Sequence, residues 1–284
     1  GGGGGGGGGG TGAGAGSVSN SNSTSSQNSN TQSNASASGT LTAARGRGLE
    51  TGTLNPALAA DAGGGDARVS LTNGTATSLQ LPNGQTAQLG PPTTNADSTR
   101  TSSGTTGDGS VVTVTSHRTR SNLSYSDYGT WAVAPTGGPA GVAVYAVGSP
   151  TPLTAVPTTG SATYLGHAAG TASLGGSNYS FKGNTQLTAN FAVGSINGQI
   201  TGLQATGAGG APAGSMNDIA LAGSINGNGF AGTALPGPAG SLDIGHTSGS
   251  FGGGFAGPNA EEASGTFKME GGGDAVIGSF GARR

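Results

Sequence analysis

The strongest constraint on the fold is a two-residue alternation of apolar and polar side chains in the C-terminal half of the chain. In residues 185–193 the apolar face carries Leu187, Ala189, Phe191 and Val193. Successive side chains of a β-strand point to opposite faces, so this alternation is typical of an antiparallel strand with one buried face. The tetrapeptide VGSI at 193–196 places glycine at the first central position of a two-residue turn, which predicts a tight hairpin.

The same alternation recurs along the chain from Gly160 to Arg284, with room for about eight strands. The apolar residues that share a face are Tyr179 with Phe181, Ile219 with Leu221 and Ile225, Phe251 with Phe255, Phe267 with Met269, and Val276 with Phe280. A closed barrel of eight strands has an interior that side chains just fill. The sequence therefore predicts an all-β protein with a small eight-stranded antiparallel β-barrel at its C-terminus.

Glycines inside these strands alternate with polar residues, which places them on the apolar face. Examples are Gly166, Gly170, Gly198, Gly202, Gly232 and Gly253. Small residues there leave room for tyrosine and phenylalanine side chains from across a narrow barrel. The outward residues are Thr, Ser, Asn, Gln and Ala rather than bulky apolar ones, which argues against a membrane-spanning barrel.

The composition excludes several classes of protein. Glycine accounts for 62 of 284 residues and only 8% are charged, so much of the chain is expected to be linker. A formal net charge of −2 leaves no basic surface for nucleic acid. The absence of cysteine excludes disulfides and thiol catalysis. No apolar run is long enough for a membrane-spanning helix.

The N-terminal part is predicted to be a tether. Residues 1–40 are almost all Gly, Ser, Asn, Thr and Gln, which cannot bury enough apolar surface to fold. A flexible coil of that length would span about 35 Å. Because the chain starts at Gly1 rather than methionine, we expect that a leader has been removed or omitted.

The strand pattern becomes clearer from residue 41 towards the barrel. Residues 41–110 are interpreted as weakly structured, with possible hairpins at 67–90 around Asn-Gly pairs and a linker at 91–110. Residues 111–150 contain three strand-like stretches, which predicts a small sheet before the barrel at 151–284.

No common hydrolytic or nucleotide-binding motif is present, which favours a protein that is not an enzyme. Three histidines, His117, His167 and His246, could ligate haem or a metal if two of them converged. The sequence favours exposed polar roles, because His167 falls on the polar side of its strand and His246 lies in a turn-like segment.

Three further features have two interpretations each. Tyr125, Tyr128 and Trp131 could anchor a partner protein, although packing within the molecule is favoured. Glu261 and Glu262 could form a recognition site, although a turn followed by a solvent-exposed strand is favoured. The segment 204–215 is expected to be a flexible connector at one end of the barrel.

Several separated motifs resemble the C-terminal β-barrel domain of the transferrin-binding protein B family of surface lipoproteins. They are SATYLGHAAGTASL at 161–174, NFAVGSINGQITGL at 190–203 and FGGGFAGPNAEEASGTFKMEGGGDAVIGSFGARR at 251–284. The tract at 145–166 is also similar to the family, and the resemblance covers roughly residues 120–284. Within the last stretch, the family signals are an aromatic followed by GPNA and an acidic pair, then GTF, then GSFGA.

The resemblance implies a function. The sheet at 111–150 would be the family's handle domain, and a lipidated cysteine would precede the tether and anchor the protein to the surface of a Gram-negative outer membrane. A dedicated outer-membrane translocator would deliver it there. As a monomer, it would bind an extracellular protein or haem, in iron acquisition or in capture of transferrin-like or complement proteins, as in the related factor H binding protein. The alternatives are a secreted haem carrier similar to hemophilin and a structural surface protein without a specific ligand.

Overall fold

The computed structural model describes most of the chain after residue 74. The described residues are 75–81, 83–137, 141–238 and 240–284, together with the backbone of strands at 39–43, 49–50 and 67–72. The tether predicted for residues 1–40 lies outside the described residues, apart from its last two positions. Described regular structure is β-strand apart from three short 3-10 turns at 118–121, 153–155 and 208–210.

Ten strands of the described part of the chain precede the barrel and form two antiparallel sheets. In chain order they are β1 Gly39–Ala43, β2 Leu49–Glu50, β3 Ala67–Thr72, β4 Thr75–Gln80, β5 Thr86–Gln88, β6 Thr93–Thr94, β7 Arg100–Thr105, β8 Val111–Ser116, β9 Ser126–Ala134 and β10 Gly141–Gly148. A four-stranded sheet has the order β1-β3-β4-β5, and a six-stranded sheet has the order β2-β10-β9-β8-β7-β6. We call the six-stranded sheet the handle.

Both predicted hairpins form, because β4 pairs antiparallel with β3 on one side and with β5 on the other. The two sheets bury a common apolar core that includes Leu79, Val114, Trp131 and Tyr145.

The interpretation of residues 91–110 as a linker is wrong. Strand β7 pairs with β8 from Arg100↔Ser116 to Thr105↔Val111, and β6 adds to its other edge. A composition rich in serine and threonine is typical of linkers. Threonine is also favourable in strands, where a neighbouring strand provides hydrogen bonds for the backbone. The handle is therefore larger than the three predicted strands.

The C-terminal strands form a closed antiparallel barrel. They are β11 Ser161–Leu174, β12 Ser177–Asn190, β13 Ser195–Thr206, β14 Pro212–Ser215, β15 Ile219–Asn226, β16 Gly229–Pro236, β17 Ser248–Ala256, β18 Glu262–Gly271 and β19 Asp274–Arg283. The order around the barrel is β12-β11-β19-β18-β17-β16-β15-β13, and β13 pairs back with β12. The predicted eight-stranded barrel is thus confirmed.

The ninth strand of this sheet, β14, folds back along β13 from Gln204↔Ser215. The segment 204–215 is therefore not the simple connector that its composition suggested, because its backbone gains strand hydrogen bonds.

The barrel core contains five phenylalanines that lie opposite glycines on neighbouring strands. The pairs are Phe181 with Gly170, Phe230 with Gly253, Phe251 with Gly232, Phe267 with Gly278 and Phe280 with Gly265. All five rings are at most 2% exposed. A methyl group at Gly278 would lie 2.2 Å from the ring of Phe267, so the glycine supplies the space that the ring occupies. This confirms the packing role predicted for the strand glycines.

Two local predictions fail. Gly202 is exposed, with φ +61°, at an irregularity in the β12–β13 pairing, rather than on the apolar face. The predicted two-residue turn is a four-residue turn at 191–194. There the Asn190 side chain accepts the N–H of Ala192 at 3.1 Å and Gly194 adopts φ +72°. Val193 is consequently 73% exposed.

The handle packs on the outside of the barrel against its last strand. Val144 of β10 contacts Ala275 and Ile277 of β19. The Ser279 hydroxyl donates to the carbonyl oxygen of Gly129 in β9 at 2.8 Å. Within the described residues, no helix has both the length and the apolar character needed to cross a membrane.

Candidate functional site

The loop that joins β8 to β9 lies between handle and barrel, and a buried carboxylate of the barrel holds it. Glu262, the first residue of β18, is 3% exposed. It accepts the backbone N–H groups of Ser124 at 2.5 Å and Tyr125 at 2.9 Å. Burial raises the pKa of Glu262, and these two hydrogen bonds oppose that rise.

The prediction that both glutamates lie in solvent is therefore wrong for Glu262. The backbone N–H groups of Ser124 and Tyr125 lie outside any strand ladder, and the carboxylate provides an acceptor for both. Glu261 instead accepts the N–H of Asn259 at 2.6 Å in the exposed turn before β18.

A buried arginine holds the same loop from the handle side. The Arg118 Nε donates to the carbonyl oxygen of Leu123 at 3.0 Å, and its Nη2 donates to that of Ser124 at 2.9 Å. The positive charge of Arg118 favours the ionised forms of Asp127 and Glu262, whose pKa values burial raises. Arg118 and Glu262 together hold the loop, and Glu262 thereby ties the handle to the barrel.

The structure places the candidate aromatic residues in packing positions. Tyr128 is fully buried, its hydroxyl lies 2.8 Å from the Ser121 Oγ, and its ring covers Gly281 of the barrel. Trp131 is 9% exposed in the core between the two N-terminal sheets. Tyr125 is half-buried and lies against Gly257. Tyr128 and Trp131 offer almost no surface to a partner, so the packing interpretation fits these two residues.

The structure brings two of the three histidines near the junction. His117 is 5% exposed, and its Nδ1 lies 2.9 Å from the Arg120 guanidinium. Burial, and then the charge of Arg120, lower its pKa to about 3, so the ring is neutral and accepts a hydrogen bond from Arg120. His167 on β11 is half-buried, and burial followed by the charge of Arg120 lowers its pKa as well.

The third histidine lies far from the other two. The His246 Nε2 is 2.5 Å from the Asp274 carboxylate at the start of β19. His167 pairs with Gly281 near the end of that strand, roughly 23 Å from Asp274 along the strand. Within the described residues, no group of three His, Cys, Asp or Glu side chains could hold a metal ion.

An open groove of about 320 Å³ separates strands β8 and β9 of the handle from strands β11, β12 and β13 of the barrel. An ion pair lies in the groove, with the Lys182 Nζ of the barrel 2.7 Å from the Asp97 Oδ2 of the handle. Partial burial raises the pKa of Asp97, but hydrogen bonds from Lys182 and Thr99 outweigh it, so the net shift is downward.

The groove does not fit haem. His117 is its single histidine, with Nδ1 already bonded to Arg120, and most of the lining is hydroxyl, amide or charged. A porphyrin needs an apolar pocket and an axial ligand.

Sequence reasoning missed Asp97, Lys182 and Arg118. Because the chain has only 22 acidic and basic residues, a charged residue near a predicted strand could have been singled out as a candidate for a specific contact.

Comparison with known proteins agrees with this architecture. Residues 156–284 match the family of C-lobe and N-lobe beta barrels of Tf-binding protein B. The C-terminal barrel of this chain is therefore similar to the barrels of transferrin-binding protein B. No curated protein sequence matches the chain significantly.

Solved transferrin-binding protein B structures share the fold of both barrel and handle. A double mutant from Haemophilus parasuis Hp5 has a TM-score of 0.58 at 18% identity, over 87% of this chain and 44% of that one. Intact Ap-TbpB, with N and C lobes, has a TM-score of 0.56 at 20% identity, over 86% of this chain and 45% of that one. The isotype 1 protein from serogroup B Neisseria meningitidis has a TM-score of 0.50 at 23% identity, over 73% and 39%. The chain therefore spans less than half the length of these transferrin-binding protein B structures.

Proposed function

We propose that this chain is a non-enzymatic binding protein, displayed on the surface of a Gram-negative cell, that binds a transferrin-type iron carrier. The observation that carries the proposal is the handle together with a transferrin-binding protein B barrel, in an arrangement that matches the structures above over 86–87% of this chain. The hydrogen bonds of Glu262 support it, because they tie the loop of the handle to the barrel, a scaffold on which loops can present a binding surface.

The barrel end that carries the turns at 191–194 and 227–228 is the surface we propose for the contact. Val193 is 73% exposed and Leu153 is 57% exposed, the latter beside Gly227. The two turns lie next to each other, because Ile225 donates its N–H to the Gly194 carbonyl oxygen at 2.8 Å. Exposed apolar side chains on these turns and beside them are suited to anchor a protein partner.

Display on the cell surface would follow the family's pattern. We propose a lipid anchor N-terminal to the tether, and delivery by a surface-lipoprotein translocator. Metabolic labelling with an alkyne palmitate analogue, followed by protease shaving of intact cells, tests both. An unlabelled protein that shaving does not degrade would contradict them.

Binding is tested by biolayer interferometry with iron-loaded and iron-free transferrin as probes. We expect saturable binding by the chain, and a loss of at least tenfold in affinity for Val193→Asp combined with Leu153→Asp, since each charge would be desolvated at the contact. Leu235→Asp is the matched control, because Leu235 is 50% exposed on the barrel wall away from these turns. Absence of binding to either form would contradict the proposal and favour a structural surface protein.

A further inference from the structure

The groove between handle and barrel presents several polar groups without an internal partner. Six of the thirteen residues that line it carry a hydroxyl group. Ser180 and Thr206 bond to each other at 2.7 Å, and Thr99 donates to Asp97. The other three hydroxyl residues, Thr115, Thr130 and Thr171, make no side-chain hydrogen bond with any described residue.

These free groups stand on both walls of the groove. Thr115 and Thr130 are directly opposite each other in the β8–β9 pairing and form the handle wall. Thr171 of β11 and the exposed amide of Gln204 on β13 belong to the barrel wall, and no described residue bonds to that amide. A ligand in the groove would therefore meet donors and acceptors from two sides.

The described residues that line the groove carry no net charge. Asp97 and Lys182 neutralise each other at 2.7 Å. His117 is neutral, because its Nδ1 accepts a hydrogen bond from Arg120. An anionic ligand would meet Asp97 and a cationic one Lys182, so charge selects against both.

An uncharged ligand with many hydroxyl groups fits this surface, since each hydroxyl both donates and accepts and can replace the water on threonine and glutamine side chains. A volume of about 320 Å³ is small for a ligand site and leaves space for one or two rings.

We propose that this groove binds a neutral carbohydrate of one or two sugar rings. The site is distinct from the apolar turns assigned to protein binding, so either proposal can fail without the other.

The test is saturation-transfer NMR on the full chain with five probes: galactose, mannose, N-acetylglucosamine, lactose and diacetylchitobiose. We expect saturable transfer from at least one probe. Gln204→Ala should lower the affinity for that probe about three- to tenfold, as expected for the loss of one hydrogen bond. Adding Thr115→Val and Thr171→Val should lower the affinity further.

Gln199→Ala is the matched control, because Gln199 is an exposed amide on the same strand, roughly 17 Å from Gln204. It should leave the affinity unchanged, and all variants should keep the thermal midpoint of the parent chain. The proposal is overturned if no probe shows saturable transfer, or if Gln199→Ala and Gln204→Ala weaken binding equally. It is also overturned if no sugar binds and Gln204→Ala instead weakens the binding of transferrin, because the groove would then be part of a protein interface.

Discussion

Removal of the Glu262 carboxylate should loosen the handle from the barrel before it unfolds the barrel. In Glu262→Ala, the backbone N–H groups of Ser124 and Tyr125 lose their acceptor in a site where the glutamate is only 3% exposed. Glu262→Gln is the milder change, because its amide oxygen can still accept one N–H while its NH₂ group faces the other.

The expected losses follow from the number of donors left unpaired. Each buried N–H without an acceptor costs about 1–3 kcal/mol. Two such groups, less the desolvation penalty that disappears with the charge, give a loss of about 3 kcal/mol for Glu262→Ala. Glu262→Gln loses one acceptor contact, which corresponds to about 1–2 kcal/mol.

Urea unfolding measures these losses, and hydrogen exchange locates them. The amides of Ser124 and Tyr125 should exchange faster in both variants, whereas amides in the barrel core near Phe267 should change only when the whole chain is destabilised. Glu261→Gln is the control, because Glu261 bonds in the exposed turn, and it should cost less than about 0.5 kcal/mol. Equal effects of the Glu261 and Glu262 variants, or unchanged exchange in the loop, would contradict the proposed role of Glu262 in holding the loop.

Two further predictions concern the junction histidine and the barrel core. The pKa of His117 is lowered to about 3 in the folded chain. The unfolded chain therefore binds a proton first as pH falls, and stability is lost progressively from about pH 6.5 towards pH 3. Urea unfolding measures this loss. Between pH 7 and pH 4.5, the free energy of unfolding of His117→Gln should fall by about 2–3 kcal/mol less than that of the parent chain. The same pH dependence in both proteins would contradict the lowered pKa of His117. Gly278→Ala should destabilise the barrel by about 1–3 kcal/mol, because the new methyl group overlaps the Phe267 ring. Thermal melts should show partial recovery when Phe267→Leu is added, and strictly additive effects would exclude the steric explanation.

The barrel could be predicted from sequence because strands such as β12 alternate between buried and exposed residues. In β12, Leu187 and Ala189 are buried while Gln186 and Thr188 are exposed, as a two-residue period requires. Local composition was a poorer guide where the hydrogen-bond partners of a segment lie in another strand. Strand β7 looks like linker until β8 lies beside it.

The candidate site could not be predicted, because its contacts join residues remote in sequence. Asp97 and Lys182 are 85 residues apart, and Glu262 is 138 residues from Ser124. Glu262 also contradicted its local pattern, since a glutamate after a turn is ordinarily solvated. Burial of such a residue follows from the packing of the handle on the barrel, which no window of the sequence records.

The position of β19 sets the order in which the molecule can be completed. This strand pairs with β11 on one side and with β18 on the other, and the handle packs against it. While a ribosome or a membrane channel still holds residues 274–283, β11 and β18 each lack a neighbour, and the cylinder stays an open sheet with two free edges. Closure joins residues more than a hundred positions apart, which makes it a slow step. The barrel can therefore stay open until residues 274–283 are free to pair, and it closes only afterwards.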